Sequence, residues 1–132
     1  MKLFIDSTQK IFVAALLNDN NTIEYKVITE TKYKVEEIIN FFDKLSKLDS
    51  IEEIYINLGP GSFTGIRIGL TIAKTFAWAK KIPIIQISSL EAMAESIETD
   101  KLIVPIINAR RNCVYGAIYD NGNVVLNEEY MS

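Results

Sequence analysis

The order of elements readable in this 132-residue chain predicts an α/β fold with a mixed sheet. Three observations carry that prediction. The chain opens with three short apolar runs separated by polar turns, which read as strands. After residue 34 the apolar spacing changes from strand-like to helical. A glycine-rich junction, Asn57-Leu58-Gly59-Pro60-Gly61-Ser62-Phe63-Thr64-Gly65-Ile66-Arg67-Ile68-Gly69, then joins a short strand to a long apolar helix.

Each element follows from local chemistry. Leu3 to Asp6 is a strand that stops at a carboxylate. Ile11 to Asn18 is rich in Val, Ala and Leu. Asp19-Asn20-Asn21 makes a turn, and Ile23 to Thr29 alternates as a third strand, closing an antiparallel meander. Val35, Ile38, Ile39, Phe42 and Leu45 recur at helical spacing, so Lys34 to Lys47 reads as an amphipathic helix. Ile54 to Leu58 is a strand and Phe63 to Lys81 a second helix. Pro83 to Ile87 is a strand. Leu90 to Glu98 is a third helix, with Ser89 as the expected cap. The order β-β-β-α-β-α-β-α predicts the α/β class. Leu102 to Ala109, Cys113 to Asp120 and Val124 to Glu128 add three strands, with a hairpin at Asp120-Asn121-Gly122.

This last piece resembles the first. A displacement of 102 positions carries Ile5-Asp6 onto Ile107-Asn108 and Ala14-Ala15-Leu16 onto Gly116-Ala117-Ile118, without a gap. The plainer alternative is that any two three-stranded meanders align loosely. Duplication makes residues 1–98 a complete lobe and residues 99–132 a truncated second lobe, of which only the three-stranded opening is present.

Composition narrows the function. Apolar residues at 48% and charged residues at 23% fit a soluble globular domain. A net charge of −3 disfavours a chain that grips nucleic acid unaided. The single cysteine, Cys113, suits a reducing compartment. The start Met1-Lys2-Leu3-Phe4-Ile5-Asp6 meets a carboxylate too early for a signal peptide, and no apolar run approaches the roughly 20 residues that span a bilayer. These features predict a cytoplasmic location without membrane contact. Histidine is absent, so no Ser-His-Asp triad, Cys-His dyad or His-ligated metal site can be built from these residues. No metal or cofactor is expected.

Two loops have a chemical reading. Asp6, Ser7 and Thr8 form a polar loop after the first strand. In a duplicated two-lobe fold such a loop can hold nucleotide phosphate, but no glycine is present to let a ligand approach, and a plain β-turn is the favoured reading. In the repeat, Asn108 and Ala109 replace its carboxylate and hydroxyl. Gly59, Pro60, Gly61, Ser62, Thr64 and Gly65 surround a helix N-terminus, which is either an anion site or a tight turn capped by Ser62 or Thr64. It lacks the spacing of a P-loop. Along the helix, Gly65, Gly69, Ala73 and Ala77 form a small-residue stripe suited to close approach to the sheet. Arg67, Leu70, Thr71, Lys74 and Trp78 occupy the opposite side. Trp and Arg dominate protein–protein hot spots, so this side, with Phe41 of the preceding helix, is a candidate docking surface.

The eleven residues Gly59 to Gly69 resemble the motif of the TsaB/YeaZ family of tRNA threonylcarbamoyladenosine biosynthesis. Asp6-Ser7-Thr8, Ile87-Ser88-Ser89-Leu90-Glu91-Ala92-Met93-Ala94, and Asn108-Ala109-Arg110-Arg111 with Val114-Tyr115 match in the same order. The resemblance implies an actin/Hsp70/sugar-kinase-like (ribonuclease H-like) fold whose nucleotide site is largely disused. It implies a non-catalytic subunit that pairs with the catalytic paralogue TsaD through first-lobe helices. A TsaE-like ATPase joins in bacteria, tRNA is met only through the complex, and a homodimer is open to the chain when alone. Three departures stand out. Thr31-Lys32-Tyr33 replaces the usual histidine region, Asn108 replaces an aspartate, and the second lobe is short. The alternatives are an ATP-binding kinase-like enzyme, to which Asp6 lends support, and a glycoprotease-like metalloenzyme, which the absence of histidine opposes.

Overall fold

The computed structural model describes residues 1–30 and 35–132. Among these, the chain runs β1 (Lys2–Asp6), β2 (Ile11–Leu17), β3 (Ile23–Glu30), α1 (Val35–Ser46), β4 (Glu53–Asn57), α2 (Phe63–Lys80), β5 (Ile84–Ile87), α3 (Ser89–Glu95), β6 (Ile106–Asn108), β7 (Val114–Asp120) and β8 (Asn123–Met131). The Thr31-Lys32-Tyr33 segment and the expected helix start at Lys34 lie outside the described residues.

The first five strands make one sheet, ordered β3-β2-β1-β4-β5. Strands β1, β2 and β3 pair antiparallel, whereas β4 and β5 add in parallel. The mixed sheet is therefore as expected. Each parallel addition follows a helix, because a parallel partner needs a long crossover. The alternation of the strands fixes which face is covered. Leu3 and Ile5 of β1, Phe12, Ala14 and Leu16 of β2, and Ile54 and Ile56 of β4 are all fully buried. Ile38, Phe41 and Leu45 of α1, with Ala73, Phe76 and Ala77 of α2, complete that core. Phe42 ties the two helices together, lying edge-on to Phe12 at 6.3 Å and to Phe76 at 6.0 Å.

The small-residue stripe of α2 faces the sheet, with Gly69, Ala73 and Ala77 buried. The helix stops one residue earlier than its pattern suggests. Lys81 takes left-handed angles (φ 58°) as the C-cap and donates its backbone N–H to Ala77 O. Lys80 Nζ reaches back to the carbonyls of Ser46 and Leu48 at 2.6 and 3.0 Å, tying the ends of α1 and α2.

The second sheet is an antiparallel meander ordered β6-β7-β8. It has its own small core, in which Leu90 and Ala94 of α3 pack against Ala117 and Tyr119 of β7. The structure corrects three details here. The strand expected over Leu102 to Ala109 is divided into a bridge between Ile103 and Tyr119 and the short β6. Pro105, between them, has no N–H to give the ladder. Ser88, not Ser89, caps α3, accepting from Leu90 N and Glu91 N, and the helix ends at Glu95. The ungapped repeat also fails by one residue in pairing. Asp6 faces Val13, but Asn108 faces Val114, where the displacement would bring Tyr115. The second hairpin is tighter because Arg110, Arg111 and Asn112 all adopt positive φ.

Candidate functional site

Strand β1 ends at Asp6, and its carboxylate is held by the chain itself. Oδ1 accepts from Thr8 N at 2.9 Å and from Thr8 Oγ1 at 2.7 Å, while Oδ2 accepts from Asn57 Nδ2 at 3.0 Å. The first of these is an Asx-turn, in which an aspartate fixes its own backbone two residues on. Asn108 does the same in the second sheet, accepting from Arg110 N at 2.8 Å. The two loops that the sequence aligns thus share a local geometry, although one has lost its charge.

Asn57, at the end of β4, is 4% exposed and joins three elements. Besides binding Asp6, its Oδ1 accepts from Gly59 N and from Ser89 Oγ, both at 2.9 Å. Ser89 N donates to Gly59 O at 2.8 Å. The start of α3 is thereby fastened to the turn that starts α2. Sequence reasoning quoted Asn57 within the motif but gave it no role. A polar residue closing an otherwise buried apolar strand was the available signal, since buried polar groups need partners.

The glycines of the motif allow close approach. A Cβ on Gly65 would overlap the Ser7 carbonyl, and one on Gly69 would overlap Ser7 Oγ. At Gly61 a Cβ would come within 2.5 Å of Thr8 O. The first turn of α2 therefore lies directly on the β1–β2 loop. Ser7 Oγ donates to Gly65 O at 2.6 Å, and Ser62 N donates to Thr8 O at 2.7 Å. Ser62 caps α2, accepting from Gly65 N at 3.1 Å. Thr64 is exposed and takes no capping part. Gly59 has φ +100° and precedes a cis peptide bond to Pro60.

Across this junction lies a cavity of about 520 Å³. It is lined by Thr8, Gln9 and Lys10 of the β1–β2 loop, by Gly61 to Thr64, and by Ile107 to Arg110 with Tyr115 of the second sheet. The Asp6 and Asn108 loops thus face one cleft. Asp6 itself points back to Thr8 and Asn57. No group of three or more His, Cys, Asp or Glu side chains that could hold a metal ion occurs among the described residues.

The outer side of α2 is open. Arg67, Thr71 and Lys74 are exposed, Leu70 is half-buried, and Trp78 is 84% exposed. Phe41 does not join them. It is 7% exposed and packs within the first core, edge-on to Phe42 at 5.3 Å, so the expectation that it lines a docking surface is corrected. Phe63 takes its place at the other end of the row, 75% exposed, with the Arg67 guanidinium 5.5 Å from its ring centroid. Their spacing of four residues, which sets both on one helix face, was the signal for this pair.

The family model described as "TsaD: tRNA N6-adenosine threonylcarbamoyltransferase" matches residues 34–130. The chain is 37% identical over 132 residues to the tRNA threonylcarbamoyladenosine biosynthesis protein TsaB of Bacillus subtilis, covering 96% of this chain and 58% of the relative. It is 39% identical over 71 residues to the protein of the same name from Haemophilus influenzae, covering 52% of this chain and 30% of the relative. The structure "YeaZ from Pseudomonas aeruginosa" superposes with a TM-score of 0.76 at 21% identity, covering 98% of this chain and 66% of that one. A ROK family transcriptional regulator superposes at 0.52, with 17% identity, covering 98% of this chain and 39% of that one. The chain spans less than two thirds of the length of these relatives. The shared fold is the actin- and sugar-kinase-like one.

Proposed function

The chain belongs to the TsaB/YeaZ family, and we propose that it serves threonylcarbamoyladenosine biosynthesis in tRNA as a non-catalytic subunit that binds a TsaD-type threonylcarbamoyltransferase. The observation that carries this reading is the division of α2 into two unlike sides. One side is locked onto Ser7 and the sheet through Gly65 and Gly69. The other presents Phe63, Arg67, Thr71, Lys74 and Trp78 to solvent. A tryptophan left in water on the same helix side as an arginine and a phenylalanine is unusual for a monomer and suits an interface.

The internal engagement of Asp6 supports the absence of catalysis. Its two oxygens already accept three hydrogen bonds from Thr8 and Asn57, so a phosphate-bound metal water competes with the chain's own donors. A TsaE-like ATPase and tRNA then belong to the assembly, and a homodimer through the same side of α2 is the state open to the chain alone. The same reading takes residues 1–98 as a complete lobe and 99–132 as the opening of a second, with α3 as the joint. Its Leu90 and Ala94 bury against the second sheet, while Ser89 is bonded to Asn57.

Titration calorimetry with a purified TsaD-type transferase tests this reading. Binding by the full chain, weakened about five-fold or more in Trp78→Ala or Arg67→Glu, is the expected result for hot-spot residues. Equal affinity in both variants, with unchanged thermal melts, overturns it.

A further inference from the structure

A second cavity, of about 460 Å³, shares Gly61, Phe63 and Tyr115 with the first and is lined by the Gly59-Pro60 turn and the end of β8. Its chemistry differs from that of its neighbour. Lys10 and Arg110 line the first cavity. The second is walled by Pro60, Phe63, Tyr115 and Tyr130, carries Glu128 and Glu129, and has no basic residue in its lining. The two tyrosine rings stand 5.4 Å apart and tilted by 58°. Glu128 is held by a hydrogen bond from Ser88 Oγ, the hydroxyl that also caps α3. One carboxylate is therefore oriented before any ligand arrives.

We propose that this pocket receives the cationic side chain, arginine or lysine, of an extended segment of a protein partner. Aromatic faces attract a cation through their quadrupoles, and Arg is the commoner guest. The carboxylates supply charge-assisted acceptors, which match the fork of a guanidinium. A phosphate-bearing ligand meets two like charges here and is turned away. Backbone geometry favours an extended occupant. Strand β8 is an edge of its sheet, so its free N–H and C=O groups can pair with a strand laid alongside. Phe63, left largely in water at the rim, provides the apolar surface that such a segment would cover. This inference does not rest on the tRNA-modification reading, although Phe63 is shared between the rim of this cavity and the exposed side of α2.

The test uses the full chain, labelled with ¹⁵N, and two blocked tripeptides, acetyl-Gly-Arg-Gly-amide and its neutral isostere with citrulline in place of arginine. The expected result is saturable shifts of the Gly59, Gly61, Tyr115 and Tyr130 amides with the arginine peptide, weaker or absent with citrulline. Affinity should fall several-fold in Glu128→Gln and further in the double variant with Glu129→Gln. Both glutamates are exposed, so neither change threatens the fold. Tyr130→Leu should weaken binding even with both carboxylates intact. Equal shifts with citrulline, shifts scattered over other surfaces, or no saturable change would each overturn the proposal.

Discussion

Removing the Asp6 carboxylate would strand donors at two places. Thr8, whose N and Oγ1 both donate to it, is only 2% exposed, and Asn57, whose Nδ2 donates to it, is only 4% exposed. An unsatisfied buried donor costs roughly 1–3 kcal/mol. Asp6→Ala is therefore expected to lower stability by about that amount in urea unfolding. A binding role alone predicts no such loss, so the measurement separates a structural Asp6 from one kept for a ligand. Legibility differed among residues for physical reasons. Asp6, Ser7, Thr8 and the glycines could be picked out because polar and glycine residues at a strand-to-helix junction need a local explanation. Phe41 could not be placed, because helical spacing locates a residue at the border of an apolar stripe but not which side of that border the sheet covers. Asn57 escaped notice because its partners, Asp6 and Ser89, lie 51 and 32 residues away.

Among the elements, α2 is the most constrained. A leucine at position 69 would force its side chain into Ser7 Oγ and toward Ile56, lifting the helix from the sheet. Gly69→Leu should cost roughly 1–3 kcal/mol by overpacking. A melting temperature equal to that of the unchanged chain would contradict the close contact. The packing of α3 on β7 predicts a pH effect. Burial, then the Glu128 and Glu91 carboxylates, raise the Tyr119 phenol above its ordinary 10.0. The unfolded chain ionises first, so the stability held by the neutral phenol is present below about pH 10 and lost as pH rises through the raised folded value. Urea titrations from pH 9 upward should show a shallower decline in Tyr119→Phe, and identical slopes would refute the linkage. Strands and helices were legible because alternation and helical spacing are properties of neighbouring residues. The cap at Ser88, the break at Pro105 and the one-residue register change were not, because each depends on which backbone groups find partners across the fold.

At the scale of the whole molecule, the first sheet carries two helices on one face, and among the described residues α3 is the helix that packs on the second sheet. The second meander could be foreseen from its own apolar runs and turns, and the mixed topology of the first sheet from the order of elements. What the second sheet contributes could not, because a three-stranded meander carries little that is specific to one use. The working hypothesis is that the chemistry lies elsewhere in an assembly. Threonylcarbamoyl transfer needs an activated donor and a group that orients an adenine amine. General acid–base help from histidine is not available in these residues. Cys113, the single thiol, sits at the base of the tight β6–β7 hairpin, its Sγ 3.5 Å from the Arg111 carbonyl. Among the described residues, its neighbouring hydroxyl is that of Tyr130, whose phenol is raised above its ordinary value, first by its hydrogen bond with that thiol. Reconstitution decides the matter. This chain, a TsaD-type transferase, a TsaE-type ATPase, tRNA and the threonylcarbamoyl donor are combined, and each protein is omitted in turn. Modification should require the transferase and fall strongly when this chain is left out. Undiminished modification without the chain would refute a supporting role, and modification by the chain alone would make it the catalyst.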